Sequence, residues 1–152
     1  MDHVQYMQLA FEQARRAYAA GNRPVGSVIV RDGAVISHGL NTVAADRDPS
    51  AHAEIAALRA ACRQLDTLTL PGATLYTTLE PCPMCLWAIL ETRVSRLVMG
   101  ARHAALGRTD VGDYTVERFL GWTKRPLEIV TGVLEAECVE LRLKWMREQQ
   151  AR

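Results

Sequence analysis

Two short motifs restrict what this chain can fold into more than any other feature. They are His52-Ala53-Glu54 and Pro81-Cys82-Pro83-Met84-Cys85. One imidazole and two thiolates are good zinc ligands, and no fourth protein ligand accompanies them. Structural zinc sites usually have four protein ligands, whereas catalytic sites leave one position for water. The motifs therefore predict a fold that brings His52, Cys82 and Cys85 together around a catalytic Zn²⁺.

Glu54 is the acid of the first motif. Residues two apart in a regular helix point roughly 200° away from each other, so Glu54 is poorly placed to share a metal with His52. It can still reach a water at the metal if zinc lies off the helix end, where a carboxylate would take and return protons. We therefore expect Glu54 to be the catalytic proton shuttle of a hydrolytic reaction.

Both motifs stand at predicted helix starts. Pro83 suits the first turn of a helix, where its missing N–H removes a donor without an intrahelical partner. Cys82 would then cap this helix, with Cys85 on the same side, and the positive end of the helix dipole favours both thiolates. Asp48-Pro49-Ser50 is a similar start signal for the helix of the first motif.

Length and composition indicate an ordinary globular protein. At 152 residues, the chain is expected to form one domain over residues 1–152. A formal net charge of +1 gives no strong attraction to nucleic acid or membranes, although a local basic patch is compatible with it. No apolar run is long enough for a bilayer span, and no secretory signal is recognised. The four cysteines do not indicate a disulfide framework, and a reduced, cytoplasmic setting is expected.

Hydrophobic periodicity predicts helices and strands along the whole chain. A hairpin turn is predicted at Asp32-Gly33, and the segment from Asn41 to Ser50 is predicted to be a loop. The predicted helices lie at about residues 3–20, 51–65, 83–92, 114–120 and 135–148, and the predicted strands at about 25–31, 34–40, 74–79, 94–100 and 127–131. A hairpin followed by strand–helix–strand units implies a mixed sheet with helices on both faces.

H-x-E followed by P-C-x-x-C is the signature of zinc-dependent nucleobase deaminases. The chain resembles the cytidine deaminase-like superfamily, in particular the branch with guanine and cytosine deaminases and tRNA adenosine deaminases. The segments that carry the resemblance besides the cysteine motif are Arg23-Pro24-Val25-Gly26, His38-Gly39-Leu40-Asn41, residues 48–55, residues 74–80 and residues 97–102. The resemblance implies an α/β fold, a three-layer α/β/α sandwich around a mixed, about five-stranded sheet, and Zn²⁺ as cofactor.

The resemblance also implies substrate contacts. Asn41 is expected to hydrogen-bond the base or ribose, with a simple turn residue as the alternative. The backbone N–H of Ala53 is expected to face a carbonyl of the base. Asp113 and Tyr114 are interpreted as selectors of amino or ring-nitrogen groups, although no spacing fixes their position. His103 is interpreted as a surface or strand-end residue, with a substrate contact as the alternative.

Hydrolytic deamination of a small nucleobase or nucleoside, such as guanine, cytosine or a related aminated heterocycle, is the function that the sequence favours. The alternative is a tRNA adenosine-to-inosine deaminase, because residues 130–138 resemble the carboxyl end of those enzymes. Against it, Leu86-Trp87 stands where those enzymes usually carry small residues, residues 106–112 replace their Gly-Ser loop, and the last helix lacks a dense basic cluster.

Two further expectations concern the protein as a whole. A zinc-stabilised binding protein without turnover is a third possible function, and the intact Glu54 argues against it because a structural metal needs no proton shuttle. The resemblance implies a homodimer, and no membrane partner is expected.

Overall fold

A mixed sheet of five strands forms the centre of the protein, in a computed structural model that describes all residues from Met1 to Arg152. The strands are β1 (Gly26–Arg31), β2 (Ala34–Leu40), β3 (Thr74–Leu79), β4 (Arg96–Ala101) and β5 (Glu128–Val130). The helices are α1 (His3–Ala19), α2 (Val43–Asp46), α3 (Ala53–Gln64), α4 (Pro83–Glu91), α5 (Val116–Thr123) and α6 (Glu135–Gln150), with one 3₁₀ turn at Ala104–Leu106.

The sheet has the strand order β2-β1-β3-β4-β5. β1 pairs antiparallel with β2 and with β3, whereas β3–β4 and β4–β5 are parallel pairs. Asp32 and Gly33 connect β1 to β2 with φ values of 53° and 74°, as a two-residue hairpin with two left-handed residues requires. The mixed sheet and the hairpin predicted from the sequence are both confirmed.

Helices cover both faces of the sheet. The core on the first face joins α3, α4 and α5 to the sheet and contains Ile29, Ala57, Leu58, Leu75, Leu86, Ile89, Leu97, Met99 and Val116. On the second face the buried residues of α1 and the sheet are Met7, Ala10, Val28, Val30, Tyr76 and Val98, and Cys138 of α6 joins a third cluster with Ala101. β3 is buried along its whole length because both faces are covered. The predicted three-layer α/β/α sandwich is therefore confirmed.

Gly39 determines how closely α3 approaches β2. A Cβ atom at this position would lie 2.2 Å from the carbonyl oxygen of Ala53 and 2.6 Å from the amide nitrogen of Ala57. No side chain other than a hydrogen atom fits between the two backbones at this distance. This contact fixes the start of α3, and with it the first motif, relative to the sheet.

All ten predicted helices and strands occur, with two differences around the first motif. The predicted loop from Asn41 to Ser50 contains the short helix α2, which begins where the Asn41 side chain accepts a hydrogen bond from the amide of Val43. α3 begins at Ala53 rather than Ala51, so His52 is its N-cap, with an extended backbone. No helix combines the length and the apolar character that crossing a bilayer requires.

Candidate active site

The three predicted metal ligands lie at the starts of two helices. His52 is the N-cap of α3 and Cys82 is the N-cap of α4, both with extended backbone conformations. Pro83 occupies the first turn of α4, as predicted, and Cys85 follows in the same turn. Both helix starts face the same cavity, so residues far apart in the chain meet at one point.

The distances between the ligand atoms fit zinc. Nδ1 of His52 is 3.5 Å from Sγ of Cys82 and 3.4 Å from Sγ of Cys85. In a tetrahedral site with Zn–N and Zn–S bonds of about 2.1 and 2.3 Å, nitrogen and sulfur are roughly 3.6 Å apart. The three ligand atoms lie within 4.8 Å of one another, and no fourth His, Cys, Asp or Glu joins the group. A site with three protein ligands and one open position is the catalytic arrangement.

The two thiols are electrostatically different. A hydrogen bond from Cys85, together with the neighbouring His52, lowers the pKa of Cys82 to about 4. The same contact with Cys82 raises the pKa of Cys85. A metal binds both residues as thiolates, so a proton on Cys85 must leave when the metal binds.

Glu54 lies in the first turn of α3 with a side chain that is 3% exposed. It lines the same cavity as His52 and Cys82 but does not belong to the metal-ligating group. Its Oε1 atom has no hydrogen-bond partner. Burial, and then the charge of Cys82, raise the pKa of Glu54 to about 7. A carboxyl group that titrates near neutral pH can both accept and return a proton, which is the role predicted for it.

Asn41 also lines this cavity, and Ala53 stands in the chain between two other lining residues, His52 and Glu54. The Asn41 side chain is buried and lines the cavity, and its Oδ1 accepts a hydrogen bond from the Val43 amide at 3.1 Å. Its Nδ2 group therefore remains as the donor. Ala53 is the first residue of α3, so its amide has no acceptor within the helix. The structure thus places the Asn41 donor in the same cavity as Glu54 and the Ala53 amide directly before Glu54 in the chain.

The structure does not bring Asp113 and Tyr114 to the cavity wall. The Asp113 side chain is 98% exposed and lies 3.7 Å from the guanidinium of Arg118. The hydroxyl of Tyr114 donates a hydrogen bond to the carbonyl of Pro81, directly before the cysteine motif. Tyr114 therefore supports the backbone beside Cys82, while Asp113 faces solvent.

Glu80 is a buried acid that sequence reasoning did not identify. Its carboxylate accepts hydrogen bonds from Nε of Arg102 at 3.0 Å, from the His103 amide at 3.0 Å and from the Val116 amide at 2.9 Å. Hydrogen bonds to a charged acceptor are stronger than those between neutral groups. Glu80 thus ties the segment from Arg102 to Val116 to the end of β3, immediately before the zinc-binding cysteines.

Cationic and imidazole groups line the rest of the cavity, namely Arg23, His103, Arg108 and Arg142. His103 lies two residues past the end of β4 and is 4% exposed, so the surface part of its interpretation is wrong and the strand-end part is not. Nη1 of Arg108 lies 3.3 Å from Nδ1 of His103, and the same guanidinium forms an ion pair with Asp110. The only sequence signal for Arg142 is its position four residues after Cys138, on the stripe of α6 that faces the sheet.

Comparison with known proteins agrees with this geometry. The family model described as the cytidine and deoxycytidylate deaminase zinc-binding region matches residues 1–101, which contain both motifs. A tRNA-specific adenosine deaminase of Bacillus subtilis (strain 168) is 39% identical over 145 residues, covering 94% of this chain and 88% of the relative.

Two solved structures of this kind are similar along most of the chain. A structure from work on tRNA:A34 deaminases and A-to-I editing at the wobble position has a TM-score of 0.81 and 37% identity, covering 91% of this chain and 99% of that one. The guanine deaminase of Nitrosomonas europaea has a TM-score of 0.82 and 31% identity, covering 99% of this chain and 85% of that one. Because the family match spans well over half of the sequence and includes every zinc ligand, the chain belongs to the cytidine and deoxycytidylate deaminase family of zinc-binding enzymes.

Proposed function

We propose that this zinc-dependent deaminase acts on adenosine in tRNA and converts it to inosine with release of ammonia. The observation that carries the deamination is the buried Glu54 carboxyl group, which has an unpartnered oxygen in the same cavity as His52 and Cys82. The choice of tRNA is supported by the relatives. Three tRNA-specific adenosine deaminases are 35–39% identical to this chain over 90–97% of its length.

This proposal replaces the preference for a small base that the sequence alone suggests. That preference depends on Leu86-Trp87, on the segment 106–112 and on the sparse charge of the last helix. None of these features lies among the zinc ligands, and relatives that share nearly the full length of the chain outweigh them.

The chemistry needs water to add to the amine-bearing ring carbon, after which the C–N bond breaks and ammonia leaves. When held by His52, Cys82 and Cys85, zinc supplies the Lewis acidity that lowers the pKa of a water molecule towards neutral. Glu54 takes a proton from the attacking water and gives it to the ring nitrogen beside the reacting carbon. It then moves the proton of the new hydroxyl to the departing amino group, so protons and charge balance.

Two hydrogen-bond donors are available to orient the substrate. The Nδ2 group of Asn41 and the amide of Ala53 can donate to ring nitrogens of adenine or to ribose oxygens. Asn41 lines the cavity, and Ala53 directly precedes Glu54 in the chain. We propose that they hold the ring so that the amine-bearing carbon faces the metal ligands.

Guanine is the second candidate substrate. The guanine deaminase of Nitrosomonas europaea aligns with 99% of this chain, slightly more than the tRNA deaminase structure does. Trp87 stands directly after the Leu86 of the cysteine helix and is 47% exposed, where a small residue is usual in the tRNA enzymes. These features support guanine as the second candidate.

A panel of substrates separates the two candidates. Zinc-loaded enzyme is incubated with guanine, cytosine, adenine, their nucleosides, and an anticodon stem-loop that carries adenosine at its first anticodon position. We expect inosine in the stem-loop, detected by mass spectrometry after digestion, with matching ammonia release. The Glu54→Gln variant supplies the background rate, and a stem-loop with guanosine at that position supplies the sequence control.

Ammonia release from guanine, with no inosine formed in the stem-loop, would contradict the proposal. Salt provides an independent check, because binding to RNA releases counterions and weakens steeply as salt increases. Activity on the stem-loop should therefore fall by orders of magnitude between about 50 and 200 mM salt if several phosphates are contacted. A flat salt response would contradict an RNA substrate.

The expected homodimer remains a proposal, supported by an aromatic cluster on α4 and α5. Trp122 is 83% exposed and Trp87 is 47% exposed, and the ring of Phe119 lies between them with centroid distances of 6.4 and 6.2 Å. Exposed aromatic groups of this kind are enriched at protein interfaces. Light scattering after size-exclusion chromatography should give twice the chain mass, and Trp122→Ser should lower it towards that of one chain.

A further inference from the structure

Arg142 of α6 carries a buried positive charge that the deamination chemistry does not use. The residue is 7% exposed, and neither its Nε nor its Nη1 atom has a hydrogen-bond partner. Its guanidinium carbon lies 4.6 Å from the centroid of the Trp145 ring, which holds the side chain in place. A buried cation without a partner costs free energy of folding, so its presence at a cavity indicates a ligand that completes it.

His103 is a second buried donor at the same cavity. The guanidinium of Arg108 has only N–H donors, so in the 3.3 Å contact the Nδ1 atom of His103 must accept. The hydrogen of the neutral ring is therefore on Nε2. This Nε2 atom is buried and has no hydrogen-bond partner. Both unpartnered groups, on Arg142 and His103, are donors, and they require an acceptor.

Three arginines surround this point. Arg23, Arg108 and Arg142 line both the cavity that contains Glu54, with a volume of about 70 Å³, and an adjoining cavity of about 410 Å³. They therefore stand at the junction between the narrow inner cavity and the wider outer one. Burial, and then repulsion by Arg108 and Arg23, lower the pKa of Arg142 to about 10.

The carboxylates of this region do not neutralise Arg142. Glu80 is committed to Arg102 at 3.0 Å, and Asp110 is committed to Arg108 at 2.7 Å. Glu54 is on the catalytic side of the cavity and makes no salt bridge with Arg142. An anion from outside the chain is therefore the group that fits the junction.

We propose that Arg142, Arg108, Arg23 and Nε2 of His103 form a phosphate-binding subsite, which holds a phosphate group of the substrate while its base reaches Glu54. This inference rests on the proposed nucleoside deamination and names the part of the substrate beyond the base. A phosphate offers several acceptor oxygens in different directions, which suits donors that converge from α6 and from the segment after β4. Its source is a phosphodiester next to the target nucleoside in RNA, or the terminal phosphate of a free nucleotide.

Binding of inorganic phosphate is the first test because it does not depend on turnover. Zinc-loaded wild type, Arg142→Gln and Arg147→Gln are titrated with phosphate at constant ionic strength, and zinc content is measured in each. Arg147 is an exposed arginine on the same helix and serves as the matched control. Loss of one charge-assisted hydrogen bond should weaken phosphate binding about tenfold in Arg142→Gln, and Arg147→Gln should bind phosphate like the wild type.

Thermal unfolding of the same proteins without phosphate separates binding from packing. Since Arg142 is buried and unpaired, Arg142→Gln should melt at the same temperature as the wild type or higher. Equal phosphate affinity in Arg142→Gln and Arg147→Gln overturns the proposal. If Arg142→Gln also melts at a lower temperature than the wild type, the role of Arg142 is packing on Trp145.

The source of the phosphate is decided by kinetics. In the stem-loop, a neutral methylphosphonate in place of one phosphate beside the target adenosine should reduce kcat/KM about tenfold in the wild type and not in Arg142→Gln. The alternative result is a kcat/KM for AMP about tenfold higher than that for adenosine in the wild type, with no such difference in Arg142→Gln. This result would show that the subsite serves a free nucleotide. In that case the phosphate subsite stands and the tRNA proposal fails. If neither substrate pair shows a difference that Arg142→Gln removes, the subsite proposal fails whatever base is deaminated.

Discussion

Glu80 and Arg102 form an ion pair beside the cysteine motif, with Nε and Oε1 3.0 Å apart, although Glu80 is only 2% exposed. Amides of His103 and Val116 donate to the same carboxylate. Glu80→Gln should lower the free energy of unfolding by about 2–4 kcal/mol, because a buried N–H donor then faces an amide NH₂ group and Arg102 loses its buried charged partner. Denaturant titration followed by circular dichroism measures this loss.

The control for this change is Glu117→Gln. Glu117 contacts the same guanidinium of Arg102, but its side chain is 54% exposed. Water screens the Arg102–Glu117 ion pair, so its loss should lower the free energy of unfolding by less than about 1 kcal/mol. Equal losses in the two variants would mean that Arg102 anchors the segment and that the buried amide bonds to Glu80 contribute little.

Glu54→Gln tests the proton shuttle. Glutamine cannot take a proton from water, so turnover should fall by about 10²–10⁴-fold or more, the usual contribution of general acid–base catalysis. Zinc content, measured by atomic absorption, should be unchanged because Glu54 is not among the ligands. Glu140→Gln, at an exposed site on α6, should retain full activity. Joint loss of zinc and activity in Glu54→Gln would instead identify Glu54 as a ligand.

Cys82→Ser tests the metal centre against an unrelated cysteine. Loss of one thiolate should lower zinc content and remove activity, because Cys82 supplies one of only three protein ligands. Cys62→Ser, at a half-buried free cysteine on α3, should keep both zinc and activity. A chelator should inactivate the wild type, and added zinc should restore it. Full zinc content in Cys82→Ser would contradict the assigned ligand set.

Gly39→Ala tests the contact between β2 and α3. The added methyl group would lie 2.2 Å from the carbonyl oxygen of Ala53, so the helix must move. We expect the free energy of unfolding to fall by about 1–3 kcal/mol. Zinc binding should also weaken, because His52 caps this helix. Gly121→Ala in α5 has no atom within 4 Å of the new methyl group and should stabilise the fold by up to about 1 kcal/mol. Unchanged zinc affinity in Gly39→Ala would show that the cap position tolerates the shift.

Ionisation of the buried Tyr76 hydroxyl should lower the stability of the fold at high pH. Burial raises the pKa of Tyr76 to about 12, whereas an unfolded tyrosine titrates near pH ~10. The folded chain therefore holds this proton more tightly, so its contribution is complete below pH ~10 and is lost as pH rises towards about 12. The free energy of unfolding should decline over this window by roughly 3 kcal/mol, and less in Tyr76→Phe. Urea titrations from neutral to alkaline pH measure both slopes.

The fold was largely predictable because its local signals agree with one another. Asp32-Gly33 has the left-handed conformations that a two-residue hairpin demands, and glycine and aspartate tolerate them. Pro83 at the start of α4 places Cys82 at the cap, which periodicity and turn chemistry together predict. The zinc ligands followed from the residue types of the two motifs, one imidazole and two thiolates. The motifs predict a deaminase but do not specify its substrate. The sequence favoured a small base, whereas the relatives favour the alternative, adenosine in tRNA.

Residues that meet only through tertiary contacts could not be predicted in the same way. Arg142 looks in the sequence like one more charge on a polar helix, and its burial depends on the packing of α6 against β4. His103 is buried because Glu80 holds its amide at the end of β3, a contact between distant segments. Asp113 sits in a segment without periodicity, so its distance from the cavity had no sequence signal.

Two separate parts of the fold supply the two halves of the cavity. His52 and Glu54 belong to the start of α3, which packs against the sheet at Gly39, and Cys82 and Cys85 belong to the start of α4. His103 and Arg108 belong to the segment that Glu80 holds, and Arg142 belongs to α6. The reacting groups and the groups that would recognise the rest of the substrate therefore rest on different supports. An engineer seeking a new substrate can change Arg142 on α6 without altering the two helices that carry the reactive groups.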